Sequence, residues 1–78
     1  MTGDQIRSHV ATFVAQLLDV PVDRVQSDVP LDHLGFDSAT SLVLAADLSA
    51  LLGREISPIA VFDSHTIDVL ASRLAAAS

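Results

Sequence analysis

Ser38 stands where a side-chain oxygen can do chemistry. It follows Leu34-Gly35-Phe36-Asp37 and opens a long apolar run that ends at Leu52. Asp37 is a good helix N-cap, because its carboxylate can accept a backbone N–H two or three residues on. Gly35 permits backbone angles closed to other residues, and Phe36 can anchor the loop in a core. Ser38 is then left in the first helical turn, where free N–H groups and the helix macrodipole favour an anion. Covalent phosphoryl attachment is therefore a chemistry that this hydroxyl could support. A Ser after an Asp is also a common part of a plain helix cap, and on spacing alone that role stays open.

The other reactive side chains form no comparable constellation. Ser38, His33 and an Asp could be read as a hydrolase triad, but the chain lacks Gly-x-Ser-x-Gly, an oxyanion hole and the bulk to bury a substrate. Asp19, Asp23, Asp28 and Asp32 lack the spacing and closing Glu of a calcium loop. His9, His33 and His65 are far apart in sequence, with no His-x-x-x-His pair for a helical zinc site. We expect no catalytic residue and no metal site.

The elements that must hold Ser38 can be read from periodicity. Ile6, Val10, Phe13, Val14 and Leu17 recur at helical spacing and predict a first helix over about residues 4–18. Thr2 and Gln5 can form a capping box at its start. Residues 19–36 hold Pro21, Pro30 and Gly35 among several acids, which are breaker signals. Val20, Val25, Val29, Leu31, Leu34 and Phe36 punctuate this long segment and suggest a loop pinned onto the core. A second helix should run from Ser38 to Leu52, stopped by Gly53. Ser57-Pro58 reads as cap and first residue of a short third helix over 58–62. Thr66 caps a fourth over 66–76. The expected fold is all-α: a small four-helix bundle, with three longer helices, a short third one and a long structured loop between the first two. Residues 1–78 read as a single domain, with Ile6, Val10, Phe13, Leu17, Leu34, Phe36, Leu44, Leu48, Leu52, Val61, Phe62, Ile67, Leu70 and Leu74 in its core.

The second helix is apolar all round. Leu44, Ala45, Leu48, Leu51 and Leu52 make the natural core face. The opposite side should be polar on an ordinary surface helix, yet it carries Ala39, Leu42, Val43, Ala46 and Ala50, broken mainly by Asp47 and Ser49. That side is a candidate docking face, formed by Ala39, Leu42, Val43, Ala46 and Asp47. Tolerated surface exposure is the alternative reading.

Composition narrows the classes further. Seventy-eight residues bound the chain to one small domain near the lower limit for an unaided core. Half are hydrophobic and only 4% aromatic, so the core must be aliphatic. Net charge is −6, with ten acids against four Arg and no Lys. No basic patch can be assembled for nucleic acid or for an anionic membrane. No apolar stretch approaches the length of a membrane span. Without Cys there are no disulfides or thiolate ligands, which fits a cytoplasmic setting.

Taken together, helix, pinned loop, Leu34-Gly35-Phe36-Asp37-Ser38, apolar helix, short helix and final helix resemble the acyl carrier protein family over nearly the full chain. Val20-Pro21-Val22-Asp23-Arg24-Val25 and Asp28-Val29-Pro30-Leu31 look like the family's loop. Ala60-Val61-Phe62-Asp63-Ser64-His65-Thr66 looks like the segment before its final helix. The Gly-Phe-Asp-Ser form is most similar to carrier domains of polyketide synthases. The resemblance implies a covalent 4′-phosphopantetheine on Ser38, placed by a phosphopantetheinyl transferase from coenzyme A with Mg²⁺ and supported by Gly35, Phe36 and Asp37. Acyl intermediates would ride on the arm as thioesters and be presented to partners such as a ketosynthase or acyltransferase. The chain would catalyse nothing itself and, if free-standing, would be a monomer. The absence of Cys agrees, since the sulfur of a thioester must then be imported. Fatty-acid or mixed peptide–polyketide synthesis is the alternative setting. An unmodified helical interaction module is the alternative of a different class. One departure stands out: the family usually has Leu after the modified Ser, and this chain has Ala39.

Overall fold

The structure is a computed structural model that describes residues 2–76. Four α-helices carry it: α1, Gly3–Leu18; α2, Ser38–Leu52; α3, Pro58–Asp63; and α4, Ile67–Ala76. Two short 3₁₀ turns, Val22–Arg24 and Leu31–Leu34, interrupt the long α1–α2 connection. Among the described residues there is no strand, only an isolated bridge between Pro30 and Thr66. No helix among the described residues is long and apolar enough to cross a membrane.

Each helix is bounded by local chemistry. Thr2 accepts from the Gln5 N–H, and the Gln5 side chain returns to the Thr2 N–H at 2.9 Å, so the first turn of α1 is closed reciprocally. Asp19 ends α1 in the left-handed region at φ 56°, the only non-Gly residue with positive φ among those described. Gly53 ends α2 at φ 68°. The Ser57 hydroxyl accepts from the Ile59 N–H at 3.2 Å, and Pro58 begins α3 where no N–H is needed. The Thr66 hydroxyl accepts from the Val69 N–H at 3.1 Å and caps α4.

The core gathers Ile6, Val10 and Val14 of α1, Leu44, Ala45 and Leu48 of α2, Val61 of α3, and Ile67, Leu70, Ala71 and Leu74 of α4. Full burial of each Leu, Ile or Val side chain is worth about 1.5–3 kcal/mol. Helix α1 packs on α4, and α2 on α3. Phe13, Leu34 and Leu52 are partly buried against this core. Phe36 is buried, and its ring meets that of Phe13 at a centroid distance of 6.4 Å.

The long connection is held at several points. Leu31 is buried, and its N–H donates to the His65 carbonyl at 2.9 Å. The Asp68 N–H donates to the Ser27 carbonyl at 3.0 Å. Val25 packs against the core from outside. The loop is thus fastened to the start of α4 before it enters α2.

Three side chains expected inside are outside. Leu17 is 45% exposed. A Cβ built on Gly3 would lie 3.7 Å from the Ala75 Cβ, so the start of α1 meets the end of α4 and the two run antiparallel. With ten residues α4 reaches about 15 Å, against about 24 Å for the sixteen of α1, so the last turn of α1 projects past its cover. Phe62 is 55% exposed because α3 has only six residues, and Val61 takes the inward position that its neighbour cannot share. Leu51 is also exposed, at the edge of the buried stripe and in the last turn of α2. Conversely, Ser49, expected on the outer side, is partly buried. Its hydroxyl donates to the Ala45 carbonyl at 2.7 Å and accepts from the Ile56 N–H at 2.9 Å.

Candidate functional site

Gly35, Phe36 and Asp37 form the last link before α2. Gly35 adopts φ 85°, the left-handed conformation that ends the second 3₁₀ turn and that a side chain would strain. The Phe36 N–H returns to the Leu31 carbonyl at 3.2 Å while its ring enters the core. The Asp37 carboxylate accepts from the Thr40 N–H at 2.8 Å. This backbone hydrogen bond is the main reason the Asp37 carboxyl is held below its ordinary value of 3.8. The loop direction and the helix start are therefore both fixed at Ser38.

Ser38 is exposed and is the first residue of α2. Its hydroxyl makes no hydrogen bond among the described residues. It lines an open groove of about 210 Å³ between α2 and α3, with Ser41, Pro58, Ile59 and Phe62. Ser41, one turn on, is buried, and its hydroxyl has no partner among the described residues. Ser41 and Phe62 also line a second cavity of about 270 Å³, which extends past Leu31 and Phe36 to Asp63, Ser64 and His65. Among the described residues no histidine hydrogen-bonds the Ser38 hydroxyl: His33 is exposed on the 3₁₀ turn, the His9 ring is engaged with Asp47, and His65 lines the neighbouring cavity. The arrangement has an accessible hydroxyl that no side chain hydrogen-bonds among the described residues.

Ala39, Leu42, Val43, Ala46 and Asp47 are all exposed on α2. Leu42 and Val43 are each 58% exposed, which is high for large apolar side chains. The structure adds two residues of α3 that sequence reasoning missed, Ile59 at 70% exposed and Phe62 at 55%. The signal for them lay in the length of α3: six residues can bury one large side chain, so the remaining apolar ones must face out. Asp47 is not free, since His9 Nε2 of α1 lies 2.5 Å from its carboxylate.

The phosphopantetheine attachment site family matches residues 8–74. This chain belongs to that family of carrier domains. Over 97% of its length it is 46% identical to a phenolphthiocerol/phthiocerol polyketide synthase subunit from Mycobacterium tuberculosis. It spans about 4% of that relative's length. A solved acyl carrier protein from Anabaena sp., Asl1650, is 32% identical and superposes with a TM-score of 0.88 over 97% of this chain and 86% of that one. A free-standing peptidyl carrier protein from Acinetobacter baumannii is 26% identical, with a TM-score of 0.88 over 97% of this chain and 95% of that one. The group that characterises the family is covalent 4′-phosphopantetheine.

Proposed function

We propose that residues 1–78 form one carrier domain of a polyketide assembly system, with the phosphopantetheine arm attached at Ser38. The observation that carries this reading is the Ser38 hydroxyl itself, exposed and unbonded at a helix start that Gly35, Phe36 and Asp37 hold in place. The polyketide setting is supported by the 46% identity to the mycobacterial polyketide synthase.

The residues present fit the group. A phosphodiester on Ser38 would lie in the first turn of α2, where N–H groups and the helix dipole favour negative charge. The groove beside it offers apolar walls from Pro58, Ile59 and Phe62. Ser41, whose buried hydroxyl has no partner among the described residues, also lines this groove. When bound, the group supplies the thiol that a chain without cysteine lacks. In the loading step the Ser38 Oγ–H bond is exchanged for an Oγ–P bond, the phosphoanhydride P–O bond of coenzyme A breaks so that adenosine 3′,5′-bisphosphate leaves, and the hydroxyl proton passes to a base of the transferase or to solvent. No side chain among the described residues hydrogen-bonds the Ser38 hydroxyl, and a separate phosphopantetheinyl transferase with Mg²⁺ supplies that catalysis, with this chain as its substrate. The domain catalyses nothing itself. It acts in the cytoplasm as a monomer and presents acyl thioesters to enzymes such as a ketosynthase or acyltransferase. Those partners dock on Ala39, Leu42, Val43 and Ala46, with Asp47 at the margin.

Incubation with a promiscuous transferase, coenzyme A and Mg²⁺ tests the reading by intact mass. We expect the wild-type chain to gain one phosphopantetheine and Ser38→Ala to gain none. An unchanged wild-type mass would overturn the reading.

A further inference from the structure

Helix α3 is one wall of the Ser38 groove, through Pro58, Ile59 and Phe62. Apolar burial holds this wall only in part. Ile56, just before the helix, and Val61 within it are buried, while Ile59 and Phe62 are exposed. Phe62 also borders both the groove of about 210 Å³ and the cavity of about 270 Å³. Close packing therefore does not wedge the helix along either of these hollows.

Two serine hydroxyls hold its ends. At the near end, Ser49 of α2 accepts from the Ile56 N–H at 2.9 Å and donates to the Ala45 carbonyl at 2.7 Å. A hydroxyl has one proton to give, so the bond to Ala45 fixes its rotor and leaves a lone pair for Ile56. The entry to α3 is thus registered on the helix that begins at Ser38. At the far end, the buried Ser64 donates to the Ala60 carbonyl at 2.8 Å and accepts from Arg73 of α4 at 3.3 Å. Ser49 lies about 16 Å along α2 from Ser38, so it acts on that residue only through α3. Without the Ser49 hydroxyl, the Ile56 N–H is left unpaired next to a buried side chain. The segment then gains by moving out to water.

We propose that Ser49 is a positioning residue for the chemistry at Ser38: its hydroxyl fixes the start of α3 against α2 and so sets the groove through which an enzyme reaches Ser38, with the Arg73–Ser64 contact holding the other end. The role in the chemistry rests on the reading of Ser38 as the loading site; the placement of α3 does not.

Amide exchange and loading kinetics on the full chain test these two halves separately. Ser49→Ala should speed exchange at Ile56 and Val61 by about tenfold beyond any change at Val10 and Leu70, as a local opening does. In steady-state loading by a phosphopantetheinyl transferase, with coenzyme A and Mg²⁺, it should raise KM for the chain about threefold or more and leave kcat within about twofold. Ser49→Thr keeps the hydroxyl and should restore both readings. Arg73→Ala frees the other end of α3 from an exposed position and should move KM in the same direction. Ile6→Val thins the core on α1, away from both ends of α3, and should lower stability with KM within about twofold of wild type. A role for Ser49 in stability alone would move Ser49→Ala and Ile6→Val together and would show no selective exchange in α3. Unchanged exchange at Ile56 and Val61 in Ser49→Ala, or a wild-type KM in both Ser49→Ala and Arg73→Ala, would overturn the proposal. So would failure of Ser49→Ala to fold, because the hydroxyl would then be holding the core rather than one wall. If the wild-type chain gains no phosphopantetheine, the carrier reading falls and the role at Ser38 falls with it, whatever exchange shows of the hold on α3.

Discussion

At Ser38 the hydroxyl makes no contact that the fold needs, while its neighbour Asp37 makes one that it does. Ser38→Ala should therefore unfold within about 0.5 kcal/mol of wild type, as surface substitutions do, and chemical denaturation checks this. Asp37→Ala should lower the denaturation midpoint, whereas Asp37→Asn keeps a side-chain acceptor for the Thr40 N–H and should largely spare it. The Asp37 carboxyl is held below its ordinary value of 3.8, chiefly by that backbone hydrogen bond. A depressed folded-state pKa stabilises the fold above the unfolded value and loses that contribution as pH falls through the folded value. An acid titration followed by circular dichroism should thus show a shallower loss for Asp37→Asn than for wild type below about pH 4, the range where unfolded Asp takes up its proton. Equal acid limbs in the two proteins would remove Asp37 from this role.

At the scale of the element, α2 serves two sides at once. Leu44 and Leu48 are buried completely, and Leu42 and Val43 stand out. Leu48→Ala should cost about 2–5 kcal/mol, and Leu42→Ala should stay within about 0.5 kcal/mol; urea unfolding of the two variants measures the contrast. Comparable losses in both would mean that the faces have been assigned wrongly. The two-sided helix was legible in the sequence because every position from Ala39 to Leu52 is apolar except for a few small or acidic residues. The caps at Thr2, Asp37, Ser57 and Thr66 were legible for a related reason: each side chain bonds its own local backbone, so no tertiary information is needed. Leu17 and Phe62 were not legible. Their helical phase is right for burial, but whether anything lies opposite depends on the relative lengths of α1, α3 and α4. Ser49 failed in the other direction, because its partner, the Ile56 N–H, comes from a segment that periodicity does not place.

For the whole molecule, the long connection decides where Ser38 points. Leu31 is the buried anchor of that connection, and its N–H and the Asp68 N–H tie the loop to the start of α4. We expect Leu31→Ala to cost about 2–5 kcal/mol and to speed amide exchange at Leu31, Phe36 and Asp68 more than at Val10 or Leu48. Uniform acceleration over the chain would show that the loop opens only with global unfolding. Sequence reasoning saw that apolar residues punctuate this loop, yet it could not tell Leu31, which is buried, from Val20 and Val22, which are exposed. That distinction is made by the antiparallel bridge to Thr66, a contact between segments more than thirty positions apart. The His9–Asp47 pair was invisible for the same reason, since it joins α1 to α2 across the surface.

The measurement that bears most directly on the account is fragmentation mass spectrometry of the transferase-treated chain, because Ser41 lies only one turn from Ser38 and lines the same groove. We predict a phosphopantetheine on Ser38 alone. Finding it on Ser41 or on any other serine, or finding an unmodified chain, would contradict the account.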